Sequence, residues 1–448
     1  MRLSGKRTWV PFLATGAGAA LFLLMLYMAG SLRQGGPGQR LAAVLLLLAL
    51  GILALLILAG QGYSRQVVLA CLLPVALALL LRLVCLDHIT LDFEDFLAPW
   101  AAAFRAGGGF AAVRRSIGNY NVPYLYFMAA ISYVAFPDLY AIKLFSILFD
   151  VLLAWGGLRL VRILCPDNRQ RPLIAFLALL FLPTVVLNGA YWGQCDSIYA
   201  ALLLHALACA LEDKPSGSMF LLALAFSFKL QAIFLLPLWC VLWYSGRVRL
   251  RQLLQFPLWY ALTIAPALLL GKPLKDVLGV YLGQMGQYTT ALTYNAPSVY
   301  ALLPRGLRVD TGRAALAGIL AAFLLVLALL AVLFLVRKRM TAELVLTAAV
   351  ILAVGVPFLL PYMHERYFFT ADVLTLVWAC AIPRRLSAAV GTQLASLGGY
   401  HAYLRLRYAI PVAVAGLSFP MGVEAALLLA VLTGSIAILW KRIGHSIQ

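Results

Sequence analysis

The chain has 448 residues, of which 64% are hydrophobic and only 11% charged, with a formal net charge of +19. Soluble domains carry about a quarter charged residues, so this composition excludes an ordinary soluble fold and points to a membrane-embedded one. In a soluble protein the positive balance would suggest nucleic acid. Here the basic residues fall in short loops between apolar runs, so their expected neighbours are anionic membrane lipids and not nucleic acid.

Apolar runs of membrane length open the chain near 9–30, 41–60 and 66–86. The first is long enough to remain as a span. A long segment, 87–138, follows, and further apolar segments lie near 139–163, 172–187, 196–212, 217–228, 230–245 and 252–271. A second long loop covers 272–313, and the last segments lie near 314–336, 342–361, 366–382, 408–419 and 421–440. The seven cysteines, mostly inside apolar runs and never in a C-x-x-C pair, read as small buried hydrophobes.

Arg2, Lys6, Arg7, Arg65, Arg159, Arg162, Arg169, Arg171 and the Arg247–Arg251 cluster are assigned to the inner side, with Arg337–Arg339, Arg384, Arg385, Lys441 and Arg442. Parity then requires 122–137 to lie at the outer interface without crossing. It also requires 386–407, with Arg405 and Arg407, to stay inside. Arg33 and Arg40 are exceptions in a short outer loop. The expected architecture is an all-α polytopic membrane protein with about 12–14 transmembrane or re-entrant helices. Its parts are N-terminal helices (1–86), an outer loop with an acidic motif and interfacial helices (87–138), and a body (139–448) containing the 272–313 loop.

In that outer loop, Phe96–Trp100 and Phe110–Ile117 are amphipathic, with Arg105, Arg114 and Arg115 on the polar side, and Gly107-Gly108-Gly109 separates them. Asn119-Tyr120-Asn121-Val122-Pro123-Tyr124 reads as a turn with aromatic anchoring.

Four polar clusters share the outer side. Asp92, Glu94 and Asp95 follow the third span. Asn188 to Ser197, containing Trp192-Gly193-Gln194-Cys195-Asp196, joins two spans. Lys229-Leu230-Gln231 sits at a turn, and Met363-His364-Glu365-Arg366-Tyr367 joins two later spans. Each has a plain alternative. The acids suit a solvated loop and Trp192 an interfacial belt. Asp196 suits a helix cap, Lys229 a snorkelling cation, and His364 and Arg366 a charged loop. Their common side makes one shared cavity the expectation. Zinc-protease spacing, a nucleophile elbow and nucleotide-binding glycine signatures are all missing from the sequence.

These residue types suit a particular chemistry. A carboxylate can act as general base toward a hydroxyl. Lys229, His364 and Arg366 can hold a lipid-linked phosphate that is also the leaving group. Trp192, Asn188 and Gln194 suit a sugar. The sum is sugar transfer from a polyprenyl-phosphate carrier to an acceptor hydroxyl. The rival is a transporter or flippase, for which the intramembrane acid Asp150 would be a signature.

Asp92-x-x-x-Phe96-Leu97-x-Pro99-Trp100, Asn119-Tyr120-Asn121-x-Pro123-Tyr124, Trp192-Gly193-Gln194-Cys195-Asp196-Ser197, Lys229-x-Gln231 and Met363-His364-Glu365-Arg366-Tyr367 resemble segments of the GT-C glycosyltransferase superfamily. The closer resemblance is to bacterial membrane mannosyltransferases related to GPI mannosyltransferase II, over about residues 85–382. It implies inverting, metal-independent transfer, without a cofactor, of a monosaccharide, usually mannose, on the outer face of a bacterial plasma membrane. By motif position the catalytic carboxylate is Asp92, with Glu94 and Asp95 as supporting acids. Arg366, His364 and Lys229 would bind the donor phosphate. Trp192, Gln194, Asp196, Asn188, Asn121, Tyr124, Glu365 and Gln231 would contact sugar or acceptor. One departure is that the acidic loop follows the third span, whereas in the superfamily it commonly follows the first.

Overall fold

The computed structural model describes residues 9–303, 309–405 and 421–447. Arg2, Lys6, Arg7, Arg407 and the expected 408–419 segment lie outside the described residues. Among the described residues, eight helices are long and apolar enough to cross a membrane, or nine if one bent pair counts as a span. The protein is an all-α multi-pass membrane protein, with one two-residue strand pair among the described residues.

The three opening runs are α1 (Trp9–Met28), α2 (Pro37–Gly60) and the paired α3 (Arg65–Ala70) and α4 (Leu72–Cys85). The 87–138 segment is also helical, with α5 (Ala98–Ala106) and α6 (Val122–Ile131). The triple glycine separates α5 from the 3-10 turn Gly109–Arg114, with Gly108 at φ 78° and Gly109 at φ 64°. The body begins with α7 (Asp138–Leu164), α8 (Gln170–Phe181), α9 (Pro183–Val186), α10 (Asp196–Leu211) and α11 (Pro215–Phe228). It continues through α12 (Pro237–Tyr244), α13 (Leu250–Leu253), α14 (Gln255–Leu269) and α15 (Leu274–Gln287). After β1 (Thr293–Tyr294) come α16 (Thr311–Leu335), α17 (Ala342–Leu359), β2 (Met363–His364), α18 (Phe369–Ala381), α19 (Leu386–Leu404) and α20 (Met421–Ile447). α8 and the helical stretch after Pro183 are bent by 46°, because Pro183 cannot donate to the preceding turn.

Arginines tie one set of helix ends together. Arg162 donates to Gln61 beyond α2, and Arg159 pairs with Glu212 beyond α10 at 2.9 Å. Arg171 donates to the last carbonyl of α18, and Arg442 pairs with Glu343 at the start of α17 at 2.8 Å. Arg162 and Arg171 reach C-terminal carbonyls and complement the helix dipole, and the two ion pairs align neighbouring helices. The polar clusters named above occupy the opposite end.

The centre of the bundle is α10, buried along its whole length and flanked by α7 and α11, and α17 is almost fully buried as well. Gly156 and Gly157 bring α7 close to its neighbours. A Cβ on Gly156 would lie 2.8 Å from Leu204, and one on Gly157 would lie 2.2 Å from Leu179. Small residues permit such close approach between membrane helices. α1, α14 and α16 are peripheral and keep large apolar side chains exposed, among them Phe12, Leu262 and Phe323.

One expectation is overturned. The stretch 386–405 does not stay at the arginine-rich end. α19 begins there, after Arg384 and Arg385, and brings Tyr400 and Tyr403 to the opposite end, where they bond Asn188 and Asp92. Its buried face is made of Gly391, Thr392, Ala395, Ser396 and Gly399, packed against protein. A helix shielded by its neighbours needs no continuous apolar surface.

Candidate active site

The site is built on the chain leaving α4. The buried Lys143 ammonium of α7 donates to the carbonyls of Cys85, Leu86 and His88 at 2.7, 3.2 and 2.6 Å. It thereby caps the end of α4. Asp87 accepts from the Arg33 amide at 3.0 Å and the Tyr140 hydroxyl at 2.5 Å. His88 stacks on Tyr191 at 3.7 Å, and Thr90 donates to the Trp192 carbonyl at 3.1 Å. The path to Asp92 is therefore fixed residue by residue.

Two π-helical turns meet here, Phe93–Leu97 directly after Asp92 and Leu187–Trp192 after α9. Such turns insert an extra residue into the helical ladder and recur at functional sites. Gly193 closes the second turn at φ 82°, a left-handed conformation that favours glycine, and sends the chain back into α10.

Asp92 is held by three donors. Its Oδ2 accepts from Trp192 Nε1 at 2.9 Å and Gln194 Nε2 at 2.6 Å, and its Oδ1 accepts from the Tyr403 hydroxyl at 2.5 Å. An ionised carboxylate offers about four lone-pair positions, so one remains for a further proton. Trp192 is fully buried, stacks on Tyr403 at 4.9 Å and meets Tyr400 edge-on at 5.4 Å. Arg366 lies over its ring, 5.3 Å from the centroid. The indole thus touches the acid through its N–H and the cation through its π face. It is no interfacial belt residue.

A second charge pair lies alongside. Lys229 Nζ is 2.5 Å from Asp196 Oδ1, and both side chains are buried. Asn188 donates to Asp196 Oδ2 at 2.8 Å and to the Tyr400 hydroxyl at 3.1 Å. Asp196 opens α10 but makes no side-chain cap, and Lys229 does not snorkel. Each satisfies the other's buried charge. One layer deeper, Asp150 pairs with Arg82 at 2.9 Å and accepts from Ser197 at 2.5 Å.

The third wall is the Met363–Tyr367 segment. β2 pairs with β1 in parallel, and the non-glycine residues Asn295 and Tyr362 flank this pair at φ 55° and 65°. A bulky residue in the left-handed region stores strain, and such strain collects at functional sites. His364 stacks on Tyr294 at 5.1 Å. Burial, aided by the positive Arg366 and Lys229, pushes its imidazole down to about 3, so it is neutral and offers a hydrogen bond but no charge. Glu365 is buried 3.5 Å from Arg366, and burial pushes its carboxyl up to about 7 despite that cation. Glu365 Oε2, Arg366 Nε and Gln231 Oε1 are buried without a hydrogen-bond partner among the described residues. Buried polar atoms with bonding capacity to spare suit a polar ligand.

These walls enclose a cavity of about 280 Å³. Of the residues expected from sequence, Asp92, Gln194, Lys229, Gln231, His364 and Arg366 line it. Trp192, Asn188, Asp196 and Glu365 stand behind the lining as its supports. Tyr124 is buried edge-on to Tyr120 at 4.8 Å. Asn121 caps α6 through the Val122 amide and donates to Tyr260 at 3.2 Å. Glu94 and Asp95 do not converge with the rest. Both are exposed on the π turn and line no part of the cavity. Among the described residues no three His, Cys, Asp or Glu side chains gather as a metal site.

Tyr367, the last residue of the Met363–Tyr367 motif, also lines the cavity, and Tyr403, Tyr400, Tyr288, Tyr294 and Gln284 belong to the site with no motif to mark them. The signal was weak. Tyr400, His401 and Tyr403 form an aromatic cluster ending a small-residue segment, and Tyr288 and Tyr294 are tyrosines of the second outer loop. The chain matches no protein-family model and no curated protein.

Proposed function

We propose that the protein is an inverting glycosyltransferase of the GT-C type. It would move a monosaccharide, mannose by the motif resemblance, from a polyprenyl-phosphate donor to an acceptor hydroxyl. The observation that carries this reading is Asp92. It is fixed by Trp192, Gln194 and Tyr403, and it shares one cavity with Arg366 and Lys229. The cavity therefore offers both a base and cations for an anionic leaving group. Its volume lies near the small end of ligand pockets, roughly 300–1,000 Å³, and suits a sugar with its phosphate but not a whole lipid. Phe96 lines the cavity and remains 40% exposed, an apolar lip for the prenyl chain.

In this scheme Asp92 takes the acceptor's hydroxyl proton, and the freed oxygen attacks the anomeric carbon. The bond from that carbon to the phosphate oxygen breaks, and its electron pair leaves on the phosphate, balanced by Arg366 and Lys229. Neutral His364 and Gln231 supply hydrogen bonds. The distribution of basic loops supports an outward-facing site, and the motif resemblance supports a bacterial plasma membrane as its location.

Incubation with polyprenyl-phosphate mannose and candidate acceptors tests the reading. Asp92→Asn should lose about 10²–10⁴-fold in transfer while folding normally. Turnover at the wild-type rate by that variant would overturn it. The transport reading has less support, because Asp150 is closed between Arg82 and Ser197 and does not line the site cavity.

A further inference from the structure

A second cavity, of about 210 Å³, lies at the arginine-rich end between α19 and α20. We infer that it is a binding groove for one anionic phospholipid, with the headgroup phosphate on Arg384 and Arg385 and an acyl chain along α20.

The headgroup end is cationic. Arg384 and Arg385 line the groove, and Arg442 stands close by on α20. Glu343, the carboxylate facing this end from α17, is already paired with Arg442 at 2.8 Å. The Arg385 guanidinium lies 5.2 Å from the centre of the Trp378 ring. Arg385 Nε and Trp378 Nε1 are both buried without a hydrogen-bond partner among the described residues, and Trp378 is wholly buried. Two orphaned donors beside two arginines specify an anion with several acceptor oxygens.

The rest of the groove is mainly apolar, with Ser387 and Ser435 as its polar exceptions. Ala388, Gly391, Ala430 and Gly434 leave its floor low, and Leu427 and Ile438 bound its length. A Cβ on Gly434 would meet nothing within 4 Å, so open space lies directly above it. From Leu427 to Ile438 the helix rises by roughly 16 Å, about half of a ~30 Å hydrocarbon core. The groove therefore spans the depth of one leaflet from its cationic mouth. A soluble anion would leave the apolar part empty, and a zwitterionic lipid such as phosphatidylcholine would bring its own quaternary ammonium against the three arginines. An anionic phospholipid satisfies both halves, and basic pockets between membrane helices are known to take such headgroups.

Native mass spectrometry of the purified full chain in detergent tests this, with dioleoyl phosphatidylglycerol, dioleoyl phosphatidylcholine and inorganic phosphate as probes. The expected result is one tightly held phosphatidylglycerol that neither phosphatidylcholine nor inorganic phosphate displaces. Arg384→Gln/Arg385→Gln should weaken it about thirtyfold, as for two basic residues at roughly fivefold each. Arg384→Lys/Arg385→Lys should retain most of the binding. Gly434→Leu, which fills the groove without touching the charges, should also release the lipid. Equal retention of the two lipids, or wild-type binding by both the glutamine and the Gly434 variants, would mean annular lipid only and overturn the inference. Displacement by inorganic phosphate would overturn it in favour of a free-anion site. Size-exclusion profiles report folding, and if the glutamine variant misfolds, the lysine and Gly434 variants still decide.

Discussion

Lys229 separates two roles that the sequence could not tell apart. As a donor-phosphate ligand alone, it could be removed at the expense of substrate affinity and nothing else. In the structure its ammonium is 2.5 Å from Asp196, with side chains 5% and 0% exposed. Lys229→Met would leave a fully buried carboxylate with one neutral side-chain donor, Asn188 at 2.8 Å. Removing one partner of a buried ion pair typically costs about 3–5 kcal/mol, because the remaining charge keeps its desolvation penalty without its Coulombic partner. The thermal midpoint in detergent should fall by roughly 3–5 °C for a chain of 448 residues. Asp196→Asn should fall similarly, leaving the lysine unpaired. The double variant removes both charges, so its loss should be well below the sum of the single losses, within roughly 2 kcal/mol of wild type. Its donor KM should still be raised, because the cavity has lost a cation. The measurement is a double-variant cycle of unfolding midpoints beside donor KM. A Lys229→Met protein that unfolds at the wild-type temperature, with only KM altered, would refute the buried-pair account.

Trp192→Phe keeps the ring beneath Arg366 but removes the N–H to Asp92, and Tyr403→Phe removes the opposite donor; each should lower kcat by about 10–100-fold with little change in donor KM, in steady-state transfer assays. Glu94→Gln and Asp95→Asn alter exposed acids outside the cavity, so transfer should stay within about twofold of wild type in the same assay. Glu365, with its carboxyl pushed up to about 7, is neutral below that pH and becomes an anion competing for Arg366 above it. Donor KM should therefore be lowest on the acid side and rise several-fold between roughly pH 6 and pH 8, and Glu365→Gln should flatten that rise.

Much of the bundle is readable because a bilayer acts on each segment separately. The runs 9–30, 41–60 and 66–86 had to be helices of membrane length, and α1 to α4 are. The basic residues likewise marked one set of helix ends, where Arg159, Arg171 and Arg442 now hold α10, α18 and α17. What segments impose on one another was not readable. Asp150 looked like an unexplained intramembrane charge because its partner Arg82 is 68 residues away in sequence. Lys143, which fixes the path to Asp92, sits inside an apolar run and gave no sign of the three carbonyls it would meet. α19 shows why these failures cluster at the site. A hydropathy window finds Leu386–Leu404 too polar to cross and leaves it at the basic end. Yet that polarity is spent inside the protein: Ser396 bonds Asp372, Tyr400 receives Asn188, and Tyr403 holds Asp92 from 311 residues away. A helix that meets only neighbouring helices can carry polar groups that lipid would forbid, provided each finds a partner. The segment that defied the span rule is therefore the one that completes the wall around the acid, and its departure from hydropathy was the sequence's own mark of it.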